Sequence, residues 1–199
     1  MRRKKIFCLL ITFLFCIICN VPSVMAKDLG YRWHKSTVYF NSDFNSDQRT
    51  AIQSAMNKWN AVKTSDGASM VTFRLTTSTA DNSINYINNY KSWVGYCSVT
   101  KMGTDLKAVQ IWLDSGYEWA TSAKSGKYDI QTVVQHELGH ALGIAHCHEW
   151  AEDEYGPCWS YTCLSNVMYP VARKNYKNVT LTDYDIASYQ LIYEMGRVP

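Results

Sequence analysis

The chain has 199 residues, 47% of them hydrophobic, with 20 Lys and Arg against 17 Asp and Glu. That length suits one domain, able to bury roughly 70% of its unfolded surface without needing disulfides to fold. Four cations (Arg2, Arg3, Lys4, Lys5) head the chain, so the other 16 nearly balance the 17 anions, all beyond residue 26. Charge therefore gives no support to a nucleic-acid partner.

Residues 1–26 read as a secretory signal peptide. The basic start is followed by an apolar run of 14 residues, Ile6 to Cys19, and by small residues at Val24-Met25-Ala26. A membrane-spanning helix needs roughly 20 apolar residues, so a cleaved signal is expected rather than an anchor. A single domain over 27–199 then follows, secreted to the extracellular space, free of the membrane and monomeric. Cys8, Cys16 and Cys19 leave with the signal, while Cys97, Cys147, Cys158 and Cys163 remain. An even count in an oxidising exterior predicts disulfides, with the connectivity open. Gaps of 49, 10 and 4 residues lack the paired short spacing of a structural zinc site.

Along the domain, Thr37 to Phe40 is strand-like. Ile52, Ala55, Met56 and Trp59 recur at helical spacing over Asp47–Asn60, with Ser46 as the expected N-cap. Val71–Leu75, Ser83–Asn88, Val94–Thr100 and Val109–Asp114 are rich in β-branched and aromatic residues and read as strands. The period changes over Tyr128–Leu142, where Ile130, Val133, Val134, Leu138 and Ala141 predict a helix ending near Gly143. A last helix is expected after Thr182. Strands first and helices flanking them predict a mixed sheet with helices packed on it. No internal repeat or Pro/Gly-rich linker divides the domain.

Four of the five histidines fall in "HELGHALGIAHCH", residues 136–148. On a helix, His136 and His140 lie on one face and can share an ion. Glu137 points about 100° away around the axis, badly placed as a co-ligand but able to reach a water in the site. Gly143 supplies the helix stop, because glycine tolerates the left-handed backbone that turns the chain back, and His146 follows three residues on. Three neutral imidazoles leave a fourth position open, the mark of a catalytic zinc. His148 lies two residues further, roughly 6–7 Å along an extended chain, and is expected outside the coordination shell.

With the full string His136, Glu137, His140, Gly143, His146, the sequence resembles the metzincin metallopeptidases, whose motif is HExxHxxGxxH followed by a Met-turn. "NVMYP", Asn166 to Pro170, resembles that turn, with Met168 as the apolar floor beneath the zinc ligands. Within metzincins the chain is most similar to the matrixins: "TVYF", the helix ending in Trp59, "VTFRL", "IWLDSGYEW" and "LTDYDIASYQLIY" fall in that family's order. The resemblance implies an α+β fold with a mixed, mainly parallel five-stranded twisted sheet and flanking helices. It also implies Val94–Thr100 as an edge strand against which an extended peptide lies. Tyr169 and Pro170 become candidate substrate-binding residues, and Pro170–Tyr176 the wall of a side-chain pocket.

Three departures from the family pattern stand out. No inhibitory pro-segment is visible, and only His34 lies upstream of the helix, too few for a second, structural zinc. The stretch between His146 and Met168 is long and carries Cys147, Cys158 and Cys163, reading as an inserted, disulfide-tied loop. Its acidic run Glu152–Glu154 offers too few oxygen ligands to support calcium. The expected function is a secreted zinc endopeptidase with one catalytic zinc, a protein or peptide substrate and Glu137 moving the proton. The alternatives are a non-catalytic binding module on the same fold and a zinc hydrolase of a non-peptide substrate.

Overall fold

The computed structural model describes residues 28–90, 92–147 and 163–195. The expected signal segment, His148, Cys158 and Glu152–Glu154 lie outside the described residues, as does the side chain of Cys163.

Five strands form the main sheet in the order β2-β1-β3-β5-β4. They are β1 (Thr37–Asn41), β2 (Thr72–Leu75), β3 (Asn82–Ile87), β4 (Gly95–Met102) and β5 (Asp105–Asp114). β1, β2, β3 and β5 run parallel, and β4 alone is antiparallel, joined to β5 by a short turn. The mainly parallel five-stranded sheet is thus the expected one, with β4 at its edge. β5 starts at Asp105, four residues ahead of the predicted Val109. The residues it gains pair with the end of β4, Leu106 with Lys101 and Asp105 with Met102, and Asp105 also bridges Arg32, so pairing with other segments makes them strand.

Alternation along β1 buries Val38 and Phe40 and exposes Tyr39, so one sheet face carries the core. Two helices, α1 (Ser46–Asn60) and α2 (Ile130–Ala141), pack on each other and on that face. α1 buries Ala51, Ile52, Ala55, Met56 and Trp59 at helical spacing. Its N-cap is Asn45, not Ser46. The Asn45 amide oxygen accepts the Gln48 N–H at 3.1 Å, and the Gln48 side chain accepts the Asn45 N–H at 3.2 Å. This reciprocal box leaves Ser46 as the first helical residue.

α2 is buried on nearly every side. It begins at Ile130 rather than Tyr128, because Tyr128–Asp129 forms a two-residue strand, β7, parallel to β6 (Trp119–Ala120). Asp129 caps the helix by accepting the Thr132 N–H at 2.8 Å. Beyond a short 3-10 turn at Cys163–Ser165, helix α3 (Asp183–Met195) closes the fold by burying Tyr189, Ile192 and Tyr193.

Candidate active site

The C-terminal end of α2 builds the site. Gly143 has φ +90° and terminates the helix with two backbone bonds, Gly143 N–H to His140 O at 2.9 Å and Ile144 N–H to Gly139 O at 3.0 Å. That pairing is the Schellman arrangement, which requires a left-handed residue after the helix. A Cβ at Gly143 would also lie 2.2 Å from the Tyr31 carbonyl oxygen. The segment before β1 packs against this end: Tyr31 Oη donates to His140 O at 3.0 Å and Trp33 Nε1 to Ala141 O at 2.8 Å. The last carbonyls of the helix, which have no partners within it, are satisfied this way.

The turn brings His146 back over the helix. His136 and His140 Nε2 each lie 3.1 Å from His146 Nε2. His136 Nδ1 donates to Val167 O at 2.7 Å and His140 Nδ1 to Ile144 O at 2.8 Å. A carbonyl can only accept, so both rings carry their proton on Nδ1 and point a bare Nε2 lone pair inward. Two lone pairs thus converge on a third imidazole, which can offer at most one proton between them when neutral. A cation resolves that arrangement, and tetrahedral zinc with Zn–N near 2.0–2.1 Å suits nitrogens spaced by roughly 3.3 Å. Burial and mutual repulsion hold the His136 imidazolium well below its ordinary range. Burial likewise lowers His140 to about 4, so both rings stay neutral and able to ligate.

Glu137 sits beside the triad, 5% exposed. Burial pushes its carboxyl up to about 8 in the metal-free chain; a neighbouring dication favours the charged form and acts in the opposite direction. Room for this carboxylate comes from Gly95 at the start of β4. A Cβ there would stand 2.7 Å from Glu137 Oε1 and 2.6 Å from Val133 Cγ1.

Below the triad, Met168 is fully buried, and a Cβ at Gly139 would lie 2.2 Å from its sulfur. The turn carrying Met168 is held by Asp185 of α3, whose buried carboxylate accepts the Val167 N–H at 3.0 Å and the Met168 N–H at 3.2 Å. Because Val167 O holds His136, the last helix orients a triad residue through that turn. Cys147 N–H closes the other side on Met168 O at 2.9 Å.

A cleft of about 710 Å³ opens over these groups, with Tyr31, Trp93 and Tyr96 on the β4 side and Tyr169, Pro170 and Tyr176 opposite. Of the described residues predicted from the motifs, His136, Glu137, His140, His146, Tyr169 and Pro170 line it, while Met168 lies buried behind them against Gly139. Cys97 also lines it, bonded to no other cysteine among the described residues, and burial raises its thiol well above its ordinary value. Gly95, Gly139 and Asp185 were not singled out from sequence. A glycine inside an apolar helix is a detectable signal for Gly139, but nothing local marks the other two.

A search of curated proteins returns no match to the chain. The family model described as Matrixin, of the M10 peptidases, matches residues 25–194. That span covers the sheet, the histidine helix, the methionine turn and nearly all of α3, and the chain therefore belongs to the matrixin family of zinc metallopeptidases.

Proposed function

We propose that the protein is a secreted zinc endopeptidase in which His136, His140 and His146 hold the metal and Glu137 moves the proton. The carrying observation is the buried Glu137 carboxylate beside three converging imidazole nitrogens, at the floor of a cleft bordered by an open sheet edge. Bound zinc supplies a Lewis acid and a water of lowered pKa.

The chain's own groups do the rest. The outer edge of β4, paired with no strand among the described residues, offers backbone N–H and C=O groups to an extended peptide and sets its register. Glu137 accepts a proton from the attacking water on a carboxylate oxygen and delivers it to the leaving amine, a role favoured by its dry surroundings. Tyr169, Pro170 and Tyr176 shape the opposite wall and receive a substrate side chain. Secretion is supported by the basic and apolar pattern of residues 1–26.

The test is to incubate the purified protein with a diverse peptide library, with and without a chelator. Internal cuts that disappear with chelator and return with zinc are expected. No cleavage of any peptide by zinc-loaded protein would refute the reading.

A further inference from the structure

The wall opposite β4 carries charge that the catalytic groups do not use. Among the described residues lining the cleft, Glu137 is the only carboxylate and Arg173 the only Lys or Arg. The Arg173 guanidinium lies over the Tyr169 ring, 5.6 Å from its centroid, and Tyr169 itself faces the cleft. Next in sequence, the Lys174 ammonium lies 5.7 Å from the Tyr128 centroid. Tyr128 in turn meets Tyr117, another cleft residue, edge-on at 5.1 Å. Stacking on a ring restrains a cation without neutralising it.

A second loop adds to this charge. The Asn175 side-chain oxygen accepts the Gly126 N–H at 2.5 Å, and Asn175 N–H donates to Lys127 O at 3.1 Å. Asn175 adopts φ +62° to make both bonds, so the two loops are pinned together. Lys124, Lys127, Arg173, Lys174 and Lys177 thereby share one flank. Lys127 meets Glu118 at 3.8 Å and Lys177 meets the buried Asp129 at 3.6 Å. Arg173, Lys174 and Lys124 have no carboxylate partner among the described residues. The β4 wall, from Val94 to Cys97, contributes no charged residue to the cleft. A positive field at the rim of a low-dielectric groove attracts anions and repels cations.

We propose that Arg173 and Lys174 select peptide substrates with acidic side chains close to the scissile bond and disfavour basic ones. The inference rests on the peptidase reading for its link to cleavage, but the charge preference belongs to binding and is measurable without turnover. Contacts between exposed charges are individually weak and screened, so two ring-held cations predict a preference of roughly tenfold at low salt, not an absolute requirement.

Three fluorescein-labelled peptides of one sequence, carrying Glu, Gln or Lys at the same two central positions, are titrated by anisotropy against zinc-loaded Glu137→Gln protein. Affinity in the order Glu, Gln, Lys is expected. The Glu-to-Gln ratio should be roughly tenfold in dilute buffer and below roughly twofold in about 0.5 M salt. Arg173→Glu with Lys174→Glu should invert the order, while Lys58→Glu, the same charge reversal at one position on α1 outside the cleft lining, should preserve it. Equal or undetectable binding of the Glu and Gln peptides, or a loss of preference in Lys58→Glu as large as in the double variant, would overturn the inference. The same peptides given to the unsubstituted protein report kcat/KM. Absence of chelator-sensitive cleavage there counts against the peptidase reading alone, because the affinity order still decides the charge preference.

Discussion

Replacing Gly95 with alanine should impair hydrolysis while leaving zinc bound. No left-handed backbone is required at Gly95, and alanine is no worse a strand former, so any loss must come from the added methyl group. That group would meet Val133 Cγ1 at 2.6 Å, Glu137 Oε1 at 2.7 Å and Glu137 Cδ at 3.2 Å. Ordinary contacts begin near 3.4 Å, so Val133 must give by about 0.8 Å and the carboxylate by about 0.7 Å. Overpacking of this kind costs about 1–3 kcal/mol of stability. Misplacing a proton-transfer group by about 1 Å costs on the order of a hundredfold in rate. None of the three close atoms belongs to a histidine, so metal content should stay near one zinc per chain. The assay is kcat and KM on one peptide, with melting temperature and zinc measured on the same sample. A fall in kcat well beyond any change in KM is expected. An alanine variant with unchanged kcat and unchanged melting would refute the claim that this glycine makes room for Glu137.

Glu137→Gln should retain zinc and lose on the order of 10²–10⁴ in kcat, since the role proposed for the carboxylate is to move a proton and not to ligate; loss of zinc in that variant would contradict the assignment, as metal analysis beside the rate will show. His146→Ala should lose tightly bound zinc and activity together, whereas His148→Ala should keep most of both, and the reverse result would move the third ligand. Met168→Ala should lower unfolding stability by about 2–5 kcal/mol, as expected for a fully buried methionine; unchanged denaturant and thermal midpoints would show that Met168 is not the floor beneath the triad.

The histidine cluster of the candidate site was legible in the chain because its spacing is local. His136 and His140 share a helix face by helical period alone, and Gly143 followed by His146 marks a stop and a return within ten residues of His136. The apolar face of α1, the strand positions and the mainly parallel sheet were likewise readable from periodicity or from the resemblance to matrixins. Boundaries shifted where a partner decided them. Asn45 took the cap from Ser46 because its amide meets Gln48, and β5 lengthened to Asp105 because β4 runs back beside it.

What only the tertiary structure decided are contacts between residues far apart in sequence. Val167 O fixes the proton of His136 from 31 residues away, and Asp185 holds the turn that supplies that carbonyl. Gly95 faces Glu137 because an edge strand crosses the helix, and Arg173 and Lys174 become one flank with Lys124 and Lys127 because Asn175 ties two loops together. Periodicity records which side of an element is apolar, but not which element will lie against it. Spacing therefore located the candidate metal ligands, while the groups that orient them, make room for the carboxylate and charge the cleft wall emerged only when the packed elements met.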